Sequence, residues 1–211
     1  DERGRVTEAD QQPDRSPAMA TLRAELAIPP DVPALQGEED TVRLACWMLR
    51  VTQPWPEAVR ETTEALLAAH RDGVEDPGEW RKLRRAAIGL SENDAPEVKA
   101  FGHVAEAAAW PLASSSAGLV ELMQAICGLR ARRASMAQGW TSADEAEAHS
   151  VLSQIAQGDG ITAPAREDIP QLFMSTHPEL ERRFSINLQV INAAFVGFRM
   201  EVMAWISGAA R

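Results

Sequence analysis

From Glu38 to the C-terminus, apolar side chains recur three and four residues apart, the spacing that gathers them on one face of an α-helix. Glu38 to Val51 places Val42, Ala45, Cys46 and Leu49 together, with Trp47 and Met48 widening the stripe; Glu38, Glu39 and Asp40 suit the helix N-terminus. Pro54-Trp55-Pro56 breaks the pattern, and Pro56 opens a second helix to about Arg71 that buries Val59, Thr63, Leu66 and Leu67. Asp72-Gly73 predicts a left-handed cap. Asp76 and Pro77 then serve as cap and first residue of a helix carrying Trp80, Leu83, Ala87 and Leu90. Pro96 opens another, with Val98, Phe101, Val104, Ala105 and Ala108 inward, ending near Trp110-Pro111.

Ser114, Ser115 and Ser116 predict a polar turn before a helix carrying Leu119, Leu122, Met123, Ile126, Leu129 and Met136. Ser142 followed by Glu145 has the capping-box pattern, a role Thr141 could share, and opens a helix to Gln157 that Gly158-Asp159-Gly160 closes. The stretch with Pro164 and Pro170 predicts a loop, and Thr176 to Glu179 a second capping box opening a long helix to about Ser207. That last helix is apolar nearly all round between Ile186 and Ile206, the pattern of a helix wrapped by others or facing a partner subunit. No strand-like alternation, hairpin turn or fixed repeat appears, so the expected fold is all-α: a bundle or helical-hairpin array of seven to eight helices with a long apolar C-terminal helix.

Ahead of these helices, residues 1–17 are polar and charged, with Val6 their one sizeable apolar side chain, and predict a mobile tail. A short helix over 18–27, with Leu22 and Leu26 one turn apart, is stopped by Pro29, Pro30 and Pro33; Met19 is a candidate alternative start. Residues 18–211 then form one all-α domain. No apolar signal segment follows the N-terminal charges. The most hydrophobic stretch, 186–206, has an uncharged run of 14 residues from Ser185 to Phe198, short of the about 20 a bilayer span needs. The expectation is a soluble, cytoplasmic chain.

Composition narrows the function. The 211 residues hold 21 basic and 31 acidic side chains, a net charge of −10, which argues against coating nucleic acid or anionic lipid. Two cysteines, Cys46 and Cys127, cannot frame a disulfide scaffold, and both lie on apolar faces as small core residues without an activating environment. Glu145 and His149 share a face one turn apart and are the metal-ligand candidates, with Asp144 and Glu147 beside them; a solvated acidic face is the rival reading. The other histidines stand singly. His70, in the last turn of its helix, suits the dipole as a cation; His103 predicts a surface pair with Glu106; His177 sits beside a cap. No nucleophile elbow, phosphate-binding loop or zinc motif occurs, so no catalytic residue and no cofactor is assigned.

Basic clusters at Arg81–Arg85, Arg130–Arg133 and Arg182-Arg183 read as pairing partners for the abundant carboxylates. Six Trp without any Tyr concentrate the aromatic surface, and Trp55, Trp110 and Trp140 fall at helix ends. With Phe198 and Trp205 these are the interface candidates, weighed against plugging the ends of the bundle.

The segment 41–133 resembles an uncharacterised family of small helical bacterial proteins, some found near type VI secretion genes. The likeness rests on Val42-Arg43-Leu44-Ala45-Cys46-Trp47, on Ala65–Ala69, on Glu75-Asp76-Pro77 with Arg84-Arg85-Ala86-Ala87, and on Ala107-Ala108-Ala109-Trp110. The first of these departs from the family's Ala-Val-Trp-Trp-Ala-Cys form. The resemblance implies a helical accessory protein tied to secretion machinery and brings no catalytic residues. Together these features predict a non-enzymatic interaction module (accessory, adaptor or immunity type) with a protein partner or a homodimer. The alternative is a bundle binding a small apolar ligand or a divalent metal, with enzymatic activity of its own.

Overall fold

The helical periodicity is realised throughout the computed structural model, which describes residues 38–111, 118–158 and 163–208. Among the described residues there are eight helices and no strand: α1 (Glu38–Arg50), α2 (Glu57–Arg71), α3 (Pro77–Ser91), α4 (Pro96–Ala108), α5 (Gly118–Ala137), α6 (Ser142–Gln157), α7 (Ile169–Thr176) and α8 (Pro178–Ile206). The expected tail, the short helix before Pro29 and the serine turn at 114–116 lie outside the described residues. No helix among the described residues is long and apolar enough to cross a membrane.

Local chemistry sets most boundaries. The Asp76 carboxylate accepts from the Gly78 N–H at 2.9 Å and Pro77 takes the first position of α3, as predicted. Gly73 adopts φ +61° just beyond α2, completing the left-handed stop after Asp72. Two starts differ from expectation. The capping box of α6 is Thr141 with Asp144, one residue before the predicted Ser142–Glu145 pair: Thr141 Oγ1 accepts from the Asp144 N–H, and Asp144 Oδ2 accepts from the Thr141 N–H at 2.8 Å. Ser142 Oγ accepts from Arg132 instead. Thr176 does not cap the long helix either. The chain from Ile169 is helical, because Pro170 in a first turn removes no hydrogen bond a helix uses. Thr176 Oγ1 then donates to the Leu172 carbonyl at 2.7 Å, and α8 starts at Pro178.

Contacts divide the described chain into two compact units. Unit 1 takes the described residues up to Leu129 and those from Phe198 onward; unit 2 is Arg130–Gly197. The core of unit 1 includes Leu44, Met48, Leu49, Leu66, Phe101, Leu119, Leu122 and Phe198, all under 2% exposed. Burial on that scale contributes about 1.5–3 kcal/mol for each large side chain. Many other core positions are alanine, which lets helices approach closely: α3 packs on α4 with Gly102 against the backbone of Leu90 and Ser91. Unit 2 has a smaller core of Trp140, Ala148, Val151, Phe173 and Leu180, flanked by Leu152, Ile155 and Phe184. Phe184 makes an edge contact with Phe173 and a tilted one with Trp140.

Candidate functional site

Helix α8 divides its apolar side chains between two faces. In unit 2, Leu180 and Asn187 are buried and Phe184 and Ile191 half-buried on the inward face; Phe198, Val202 and Trp205 are buried in the unit 1 segment. About a third of a turn round from that inward face, Ile186, Val190, Ala193 and Gly197 follow each other at intervals of four, three and four residues, the spacing of a helix-pairing seam. Ile186 is 43% exposed, and Val196, farther round the helix, 57%. A Cβ placed on Gly197 would meet nothing within 4 Å. Isolated exposed apolar residues are ordinary on a surface, but Leu188 and Phe195 are exposed as well, so apolar side chains face outward on more than one flank of this helix. The helix is therefore not wrapped on all sides within the described residues, and its outward seam has a small part, Ala193 with Gly197, beside Ile186 and Val190.

The five aromatic candidates fall in different places. Trp140, Phe198 and Trp205 are buried inside the chain and belong to its internal packing. Phe198 stacks on Trp47 and Trp205 tilts against it, with ring centroids 6.3 and 6.0 Å away. Trp55 is half-buried, and its indole N–H donates to Thr52 Oγ1 at 2.8 Å, plugging a helix end. Trp110 alone of the five stands 43% exposed, with the Arg84 guanidinium 3.8 Å over its ring. It borders a cavity of about 320 Å³ with Pro77, Trp80 and Pro111.

The candidate metal ligands do not converge. Glu145 accepts from Arg132 at 2.8 Å, His149 is exposed, and among the described residues no three metal-ligating side chains come together. Asp144 is engaged by its own cap and by Arg183. The Thr141 backbone N–H and then its hydroxyl, with Arg183 after them, hold the Asp144 carboxyl below the ordinary aspartate range. The basic clusters are partly paired, with Lys82 on Glu79 at 2.6 Å and Arg182 on Glu179 at 3.1 Å.

Buried titratable groups differ from their sequence reading. His70 is not a surface cation at a helix end: it is 4% exposed, its Nε2 lies 2.8 Å from the Ala108 carbonyl, and its ring tilts against Trp80. Burial pushes its pKa down, with the Ala108 hydrogen bond opposing, so the imidazole stays neutral and Nε2 is the donor. His103 does not pair with Glu106, whose carboxylate accepts from Ser91 Oγ across α3 and α4. His177 caps α7, its Nδ1 2.9 Å from Thr176 Oγ1. Both cysteines are buried, and neither forms a disulfide among the described residues. Burial pushes the Cys46 thiol up, although Arg50 and Arg71 pull the other way; the sequence reading had overlooked that Arg50 lies one turn along the same helix.

No known family model, curated protein or solved structure matches the chain.

Proposed function

We propose that this chain is a non-enzymatic helical interaction module that works by helix-on-helix docking through the outward face of α8, its first partner being a second copy of itself. The observation that carries this reading is the four-three-four spacing of Ile186, Val190, Ala193 and Gly197, exposed or half-exposed beside the face α8 buries. A helix is the element such a seam accepts, because side chains at those intervals interlock with the same intervals on another helix. An antiparallel partner centred between Val190 and Ala193 sets Ile186 opposite Gly197 and Val190 opposite Ala193, a large side chain against a small one at each step. The strip from Ile186 to Gly197 is about 17 Å long and about 10 Å wide. That is small beside the about 800 Å² per partner of a standard interface, so the association is weak and concentration-dependent. The secretion-linked resemblance of 41–133 supports an accessory role.

Light scattering coupled to size exclusion, over a range of protein concentrations, tests the reading. The wild-type chain is expected to shift from monomer to dimer, and Ile186→Glu with Val196→Glu to stay monomeric at unchanged helicity. A wild-type monomer at every concentration would overturn self-docking.

A further inference from the structure

Helix α1 carries a second feature on the side away from its core stripe. Arg43, Trp47 and Arg50 lie four and three residues apart and so share one face. That face opens on a cavity of about 670 Å³ in unit 1, closed on the other sides by His70 and Arg71 from the end of α2 and by Trp205 from α8. The volume is that of a small-molecule pocket. Its aromatic wall is fixed, since Trp47 is held between Phe198 and Trp205 by ring contacts. Among the described residues three guanidinium groups and no carboxylate line it, in a chain whose net charge is −10. Arg71 is engaged by Asp72 at 2.8 Å and Arg43 touches Asp40 only at 3.6 Å; Arg50 makes no ion pair among the described residues. Two cations about 10 Å apart along one helix, with an indole between them, suit a ligand with a charged end and a flat body. Arginine binds carboxylate and phosphate oxygens in pairs, and aromatic walls take a planar ring.

We propose that unit 1 holds a binding site for a planar aromatic anion, its ring seated against the half-buried Trp47 and its phosphate or carboxylate held by Arg43 and Arg50. The site is distinct from the outward face of α8 and stands whether or not that face pairs.

Calorimetric titration of the full chain with AMP, adenosine and 1-naphthoate tests it. AMP or 1-naphthoate, or both, should bind, with adenosine weaker than AMP by about tenfold or more, the loss of one charge-assisted contact. Binding of AMP alone identifies a phosphorylated nucleoside as the ligand source, and binding of 1-naphthoate alone an aromatic carboxylate. The pair Arg43→Gln with Arg50→Gln should abolish binding; both side chains are exposed, so the melting temperature should hold. Neither anion binding at millimolar concentration, adenosine matching AMP, or unchanged binding by the folded double variant would each overturn the proposal.

Discussion

Replacing Gly102 by alanine should destabilise unit 1, although alanine is the better helix former. A Cβ built on Gly102 falls 2.1 Å from the Ser91 N, 2.4 Å from its Cα and 2.5 Å from the Leu90 carbonyl carbon. All three are backbone atoms of α3, so no rotamer change can relieve the overlap. Carbon atoms pack at about 3.5–4.0 Å, and α3 and α4 would have to separate by more than about 1 Å. That separation loosens the packing of Phe101, Ala105 and Ala87, all buried, and strains the Ser91 to Glu106 hydrogen bond that ties the same two helices. Overpacking costs about 1–3 kcal/mol, with a backbone clash at the upper end, against a propensity gain of about 1 kcal/mol. The expected net loss is about 2 kcal/mol, or about 4–8 °C in melting temperature for a chain of this size. Gly89→Ala, on α3 with nothing within 4 Å of the added carbon, is the control and should gain up to about 1 kcal/mol. Thermal and urea melts followed by circular dichroism compare the two. Gly102→Ala melting at or above the wild-type temperature would refute the argument from close helix approach.

Three further outcomes follow from buried or capped polar groups. Because burial lowers the native pKa of His70, its contribution is complete above the ordinary histidine value of about 6.5 and declines as the pH falls from there through the lowered native value. Urea midpoints measured between neutral and mildly acidic pH should show that decline, and His70→Gln should flatten it. Asp144, with its native pKa lowered by Thr141 and Arg183, stabilises unit 2 fully above about pH 4 and ceases to do so as the pH falls through the lowered value. Asp144→Asn should remove that acid-range dependence in melts that follow unit 2, while keeping α6 helical. Asn187 Oδ1 is buried in unit 2 without a hydrogen-bond partner among the described residues, and Asn187→Leu should raise the unfolding free energy from urea melts by about 1 kcal/mol or more.

How far the sequence foretells these features depends on how local their causes are. The start of α3 was legible because Asp76 and Pro77 act within one turn. The start of α6 was displaced by one residue because Thr141 and Ser142 carry equivalent hydroxyls. What separates them is Asp144, which closes the box on Thr141 while Arg183, 39 residues away, holds its other oxygen. Pro170 read as a breaker because its position in a turn depends on where the helix begins. His70 was placed correctly in its helix and assigned the wrong charge state. Its partner, the Ala108 carbonyl, is 38 residues distant, and no helical wheel of α2 contains it.

The cationic cavity shows the opposite case, a feature that lay within reach. Arg43, Trp47 and Arg50 stand at one-turn intervals, and their common face follows from the sequence alone. Reading α1 by its apolar stripe treated Trp47 as a widening of the core and gave Arg43 and Arg50 no role. An amphipathic helix needs both apolar and charged positions, so nothing in its periodicity sets these residues apart. What does set them apart is the company they keep. The acidic side chains that outnumber the arginines across the chain are missing from this wall, while α2 brings Arg71 and α8 brings Trp205 to it. The helical pattern therefore determines which residues share a face, and only the tertiary fold determines whether that face meets solvent, another helix or a cavity that concentrates positive charge.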